Sequence, residues 1–463
     1  MAAPRVRVLS PEALLSRLGN RILAGGARDL PARQQTINDT IAWSYDLLNE
    51  TQRALADQFS VFAGGAMLTE AETVCKDVSD DVLGGLDDLV ANSIVTLGEV
   101  EGESRFSMLA TIREFAHDRL EASGNDGSAR KNHASAFLAL AEEAEDYLLT
   151  RDGGKWLNRL ELEVDNLRAA VKFAIDDGDA DLALRLAGSL YRFLQMRAHL
   201  YEATEIINGA LALPGGDPAL RSKALVAAAG VAYWRGDMVR CRQANEDNLA
   251  ICRQLGDERL LADALYSASF PHSLTGEFEA AEDALKEALH LYRGLGDSRG
   301  PADVHWGFGD VAYNRRDLDQ ARFYFETAVS LYAELDNVFG LGWSHYMLGK
   351  TLIILGDVVG AKEHFEQGLG LFAEVGDISA FPLYLIDLAG IALRTGQHVR
   401  AATMVGALTH LTEKTGLKLM DMYSEWVPEL DAAGIDRLKS EYRHDFDAGA
   451  AMSPAEAAEY ALE

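Results

Sequence analysis

The feature that most restricts what this chain can fold into is a turn that returns every 40 residues: Gly236-Asp237, Gly276-Glu277, Arg316-Asp317, Gly356-Asp357 and Gly396-Gln397. A second series runs at the same period, half a unit away: Leu255-Gly256-Asp257, Leu295-Gly296-Asp297, Leu335-Asp336-Asn337, Val375-Gly376-Asp377, and then Gly416. Stretches of roughly 18 residues with apolar side chains at helical spacing separate the turns. Two turns per period predict a stack of helix-turn-helix pairs. Such a stack forms a surface for holding something, so binding is expected before catalysis.

Aligned on this period, the units share columns of small residues. The first helix carries Ala229, Ser269, Gly309, Gly349 and Ala389; the second carries Cys241, Ala281, Ala321, Ala361 and Ala401, then Asn248, Ala288, Ala328, Gly368 and Leu408. Small side chains let paired helices approach closely, and the bulky column Leu285, Phe325, Phe365, Val405 fills the groove they leave. The spacing resembles the tetratricopeptide repeat, lengthened by longer helices. In that register the first-helix positions facing a concave groove are aromatic: Tyr266, Trp306 and Tyr346 in one column, Tyr233 and Tyr313 in another, with Phe270, Trp343, Asp310 and Lys350 beside them. Aromatics with a few charges suit a groove for a peptide or an apolar ligand. Packing between neighbouring repeats is the simpler reading of the same rings, and both stay open.

Charge and cysteine usage narrow the function classes. With 43 basic and 72 acidic residues among 463, the net charge is -29, which opposes nucleic acid and anionic membrane at long range. Cys75, Cys241 and Cys252 form no CxxC pair and no His cluster has ligand spacing, so neither disulfides nor a metal site is expected, and no cofactor motif is evident. No apolar run is long enough for a bilayer span and no signal-peptide pattern opens the chain, which points to the cytoplasm.

The N-terminal part differs in composition from its neighbour. Residues 1–35 hold six Arg and two acidic residues, whereas 36–123 hold five basic and seventeen acidic ones. Ser10 and Pro11 predict a helix over 10–22. Beyond it the pattern predicts helices over 37–48, 50–59 (Asn49 and Gln52 as a capping pair), 70–74 (Thr69 and Glu72 likewise) and 82–91. Strands over 93–97 and 105–109 flank Glu101-Gly102-Glu103, and helices followed by a hairpin describe a winged helix. From about 130 the chain reads as helical throughout. A last capping box, Ser453 to Glu456, opens a helix to Leu462. The expected fold is all-α: a winged helix with a small β-hairpin, then a right-handed superhelical tetratricopeptide-like α-solenoid. Its segments are 1–35, a helix and linker; 36–124, the winged helix; 130–217, irregular helical pairs; 218–416, five repeats; and 417–463, capping helices.

Several stretches are distinctive as sequence: GARDLPARQQT (26–36), IAWSYDLL (41–48), FSVFAGG (59–65) and MLATIREFA (108–116). Together with Trp156-Leu157, EVDNLRAA (163–170) and AAEYAL (457–462), they resemble the region after the nucleotide-binding domain in STAND-class signal-transduction ATPases. The resemblance is to bacterial transcriptional regulators of the LuxR and SARP kinds and related cyclase-linked proteins. Members of that family place a P-loop ATPase before this segment and often an output domain at one end; neither is expected from this sequence. The one Gly-Lys-Thr, at 349–351, has Ser344 where a phosphate loop needs its first glycine, and it falls within a repeat helix. The resemblance implies that residues 5–35 correspond to the end of the ATPase lid, and that Arg28, Arg33, Trp43 and Tyr45 form an interface with an ATPase domain. A merely solvated basic strip (Arg17, Arg21, Arg28, Arg33) is the alternative.

Three functions compete. A non-catalytic regulatory module would bind a protein or small ligand in the repeat groove and couple it to a STAND-type ATPase, supplied by another chain, or to a transcriptional output. A DNA-binding regulator would use the winged helix directly, but its candidate recognition helices carry Glu70, Glu72, Asp87 and Asp88 against Lys76 alone, which a phosphate backbone repels. An enzyme would need a nucleophile-base-orienter constellation, and the His and paired carboxylates such as Glu142 and Glu143 are scattered on helix faces. The first reading is preferred, with no direct nucleic-acid or membrane partner expected.

Overall fold

The computed structural model describes residues 37–100, 102–415 and 426–463; the helix expected over 10–22, Arg28, Arg33 and Gly416 lie outside them. The fold is an all-α repeat fold with one small sheet. Its elements pack as two compact units: the described residues through Leu140 with Leu162–Ala174, and Ala141–Glu161 with Ile175–Glu463.

In the first unit, α1 (Ile37–Asp46) and α2 (Glu50–Phe59) precede strand β1 (Ala66–Met67), helices α3 (Leu68–Cys75) and α4 (Val82–Ala91), and the hairpin β2 (Thr96–Val100) and β3 (Glu103–Ser107). The antiparallel sheet runs in the order β1-β3-β2, with Ala66 and Leu97 on either side of Phe106. The Asn49 capping box is present: its side chain accepts from the Gln52 amide at 2.9 Å, and Gln52 accepts from the Asn49 amide at 2.9 Å. The Thr69 box is not. Residues 66–67 are drawn into the sheet, so α3 starts directly from β1, capped at Met67 without a side-chain bond. The hairpin is also shifted from its expected place. Ile94 and Val95 are buried, and their amides close the end of α4 on the Leu89 carbonyl, so β2 begins only at Thr96. Leu109 becomes the N-cap of α5 (Ala110–Ser123) rather than the end of a strand.

After α5 come α6 (Asp126–Glu145), α7 (Gly153–Leu162) and α8 (Val164–Asp177). The FSVFAGG and EVDNLRAA stretches meet within the first unit through one arginine. Arg105 pairs with Glu163 at 2.6 Å and donates to the Gly64 and Gly65 carbonyls at 3.2 and 3.3 Å. Asn166 donates to Gly65 O at 2.8 Å and accepts from the Ala63 amide at 2.7 Å. Glu163 and Asn166 are fully buried, so each donor and acceptor there needs its partner.

In the second unit, α9 (Ala180–Met196) and α10 (Leu200–Ala212) lead into five pairs: α11 (Pro218–Trp234) with α12 (Met238–Leu255), α13 (Glu258–Leu274) with α14 (Phe278–Gly294), α15 (Gly300–Asn314) with α16 (Leu318–Glu334), α17 (Val338–Leu355) with α18 (Val358–Val375), and α19 (Phe381–Arg394) with α20 (His398–Thr415). The 40-residue turn is a left-handed backbone position, φ 70° at Gly236 and 80° at Gly276, and the chain holds it even where the residue is Arg316, φ 70°. The small columns work as the spacing requires. A Cβ on Gly309 would meet the Phe325 ring at 2.6 Å, and one on Gly349 would meet Phe365 at 2.6 Å. Helices α21 (Ala432–Glu441), α22 (Arg443–Ala450) and α23 (Pro454–Leu462) complete the unit, the last opened by the Ser453–Glu456 capping box.

Candidate functional site

The first helices of the repeats present one stripe to a common cavity of about 580 Å³. Its positions are four and then three residues apart, which is one face of an α-helix. The first column is Ala219, Arg259, Arg299, Phe339; the second is Lys223, Asp263, Asp303, Trp343, Leu383; the third is Val226, Tyr266, Trp306, Tyr346. The opposite wall comes from Glu145, Leu149, Gly188, Tyr191 and Arg192. The inner face of the array is therefore partly covered by helices that precede it in the same unit.

Of the residues expected in a groove, Tyr233, Tyr266, Phe270, Trp306, Trp343 and Tyr346 line this cavity. Their rings run on from one another: Tyr266 to Phe270 at 5.0 Å, Phe270 to Trp306 at 5.7 Å and to Tyr233 at 5.8 Å, Tyr233 to Trp234 at 6.0 Å, Trp234 to Trp343 at 5.0 Å. The two readings of these rings divide along this line. Tyr346 is fully buried against Phe365 and Tyr384, so it is packing first; Tyr233, Tyr266, Phe270 and Trp306 are half-buried and face open space.

Asp310, Tyr313 and Lys350 do not line the cavity: their columns, which hold half-buried Phe270 and Tyr233 earlier in the stack, are buried in these two repeats. Asp310 is 1% exposed; Asn314 donates to it at 3.2 Å, and burial pushes its carboxyl up to about 6. Lys350 is 1% exposed and faces fully buried Asp387 at 3.6 Å, an ion pair that Trp426 completes by donating to Asp387 at 2.6 Å. Burial raises the Asp387 carboxyl, and Lys350 opposes the rise. In the first unit, Trp43 is 47% exposed, whereas Tyr45 is buried, donating to Asp57 at 2.8 Å with its ring edge-on to Phe115.

A repeated polar triad was not anticipated from the sequence. Tyr292 donates to Asp263 at 2.6 Å while Arg259 pairs with Asp263 at 3.2 Å; 40 residues on, Tyr332 donates to Asp303 at 2.5 Å and Arg299 pairs with it at 3.3 Å. One period further the same three places hold Phe339, Trp343 and Phe372, with ring centroids 5.6 to 6.2 Å apart. The inner face thus changes from charged to aromatic along the stack. The signal was present as the same period, at positions the small-residue columns did not include.

A second cluster was also unexpected from the sequence: His117, Glu121 and Asp126 converge within 4.8 Å. Arg130 occupies that space, 2.7 Å from His117 Nε2 and 2.8 Å from Asp126, so the group is an ion-pair cluster. Cys75, Cys241 and Cys252 are free and buried. Among the described residues no helix is long and apolar enough to cross a membrane.

No family model matches the chain. A candidate HTH-type transcriptional regulator of Mycobacterium tuberculosis is 35% identical over 215 residues, which are 45% of this chain and 24% of that protein. An uncharacterized protein of the same organism is 33% identical over 130 residues, 27% of this chain and 33% of its own length. The chain thus spans only 24% and 33% of the length of these relatives. Among solved structures, a STAND protein with a tetratricopeptide repeat sensor from Pyrococcus horikoshii aligns at 15% identity and TM-score 0.42, covering 97% of this chain and 70% of that one. A Rap protein complexed with Competence and Sporulation Factor aligns at 13% identity and TM-score 0.46, covering 67% of this chain and 87% of its own.

Proposed function

We propose that this chain is a regulatory sensor module whose repeat array captures a protein segment or small ligand in its inner cavity and couples occupancy to a STAND-type ATPase or a transcriptional output. The observation that carries this reading is the cavity itself, walled in one register by four successive repeats. Identity to a candidate transcriptional regulator over nearly half of the chain supports the regulatory side. The helix-helix-strand-helix-helix-hairpin order, with sheet order β1-β3-β2, supports assigning 36–124 as a winged helix. In this reading exposed Trp43, with Arg28 and Arg33, contacts the ATPase domain, and buried Tyr45 holds α1 in place behind it. In this reading the module acts in the cytoplasm and binds rather than catalyses.

The test is direct association. The full chain, mixed with the purified P-loop ATPase domain of a STAND-type regulator, should co-elute with it and change its ATP hydrolysis; absence of both at micromolar concentrations refutes the coupling. The second reading, DNA binding through the winged helix, is favoured by the name of the relative. Against it, Glu72, Asp87 and Asp88 are exposed on α3 and α4 beside Lys76 as the one exposed cation there. Salt-dependent binding of duplex DNA near physiological ionic strength would reverse this order.

A further inference from the structure

We infer that the cavity of the repeat array takes a small molecule with a flat aromatic body and a single carboxylate, the carboxylate seated at Arg192. This rests on the sensor reading and names the ligand class of that same site.

Charge is the first argument. In a chain of net charge -29, the cavity is lined by four cations, Lys223, Arg192, Arg259 and Arg299, and three carboxylates, Glu145, Asp263 and Asp303. Three of the cations are already neutralised locally. Lys223 meets Glu145 at 2.5 Å, Arg259 pairs with Asp263 and Asp297, and Arg299 pairs with Asp303. Arg192 is the exception: among the described residues it has no carboxylate within ion-pair distance, its guanidinium donating to Gln195 Oε1 and lying over the rings of Tyr191 and Phe339, the latter at 4.4 Å, while buried Asp377 feels its charge from farther off. A half-buried guanidinium without an ion-pair contact is a ready partner for one anionic group.

The second argument is a further donor. Tyr266 lines the same cavity and its hydroxyl makes no hydrogen bond among the described residues. Burial first, and Asp303 next, push its ionisation well above the ordinary tyrosine value, so it keeps its proton and remains a donor.

The third argument is shape and surface. Beyond Arg192, Phe339, Trp343, Trp306 and Phe270 provide apolar ring faces. A volume of about 580 Å³ suits a compact molecule rather than an extended chain. The helix Ala180–Met196, with Gly188, Tyr191 and Arg192, and the turn with Leu149 also line this cavity.

The experiment uses 2-naphthoate, its uncharged isostere 2-naphthamide, and the cationic 2-naphthylmethylammonium, titrated calorimetrically into the full chain. Naphthoate should bind about tenfold or more tightly than the amide, as one charge-assisted contact implies. Arg192→Gln should abolish that preference, with an unchanged thermal midpoint reporting that the cavity is still folded; Tyr266→Phe should weaken naphthoate more than the amide. Equal affinity for acid and amide, or preference for the cation, overturns the carboxylate assignment and leaves the sensor reading standing. If none of the three probes binds, the aromatic ligand assignment itself falls, whereas the sensor reading is decided separately by the ATPase association.

Discussion

Asp310 shows what one buried residue contributes. Its folded carboxyl is pushed up to about 6 by burial, against hydrogen bonds from Ser273 and Asn314. The folded state then holds a proton that the unfolded chain releases nearer pH 4, so this contribution is full below about pH 4 and is lost as pH rises through about 6. Asp310→Asn should raise stability at neutral pH by roughly 1 kcal/mol or more and change little at about pH 4, as urea unfolding at the two pH values would read. Arg316 makes the complementary case for the backbone. It occupies a left-handed turn, φ 70°, that glycine fills in the equivalent turns at 236, 276, 356 and 396. Arg316→Gly should raise stability by about 0.5–1 kcal/mol, the strain relieved less the extra unfolded-state entropy, measured as a higher thermal midpoint.

At the scale of helices, the repeats stand on small residues facing rings. Gly349→Ala places a methyl at 2.6 Å from Phe365 and should cost about 1–3 kcal/mol. Gly370→Ala, in the partner helix with nothing within 4 Å of the new Cβ, should instead gain about 0.5–1 kcal/mol. Thermal melts of the pair separate close packing from helix propensity. Both columns were legible in the sequence because helix pairing places them at fixed offsets in each period. Lys350 and Asp387 were not. Lys350 occupies the column that holds Phe270 two helix pairs earlier, and only the arrival of α19 with Asp387 buries it as an ion pair. Lys350→Met should destabilise by about 3–5 kcal/mol through the uncompensated carboxylate, with Lys350→Met/Asp387→Leu recovering most of it in urea unfolding.

For the molecule as a whole, the aromatic column separates into support and wall. Tyr346→Ala should cost about 3–5 kcal/mol, because the ring is fully buried among Trp343, Phe365 and Tyr384. Trp306→Ala, at a half-buried ring, should cost clearly less and instead reduce binding of an aromatic probe; urea unfolding beside calorimetry tells the two roles apart. The sequence by itself determined the helices, their turns and the pairing of neighbours, since in a stack of this kind neighbours in space are neighbours in the chain and their contacts repeat with the period. Tertiary structure alone decided what stands opposite the inner face: Arg192 over Phe339, Trp234 against Trp343, and Tyr313 withdrawn into the core while Tyr233 lines the cavity. Those contacts join helices distant in sequence, and neither side-chain type nor period encodes which distant face will cover which ring.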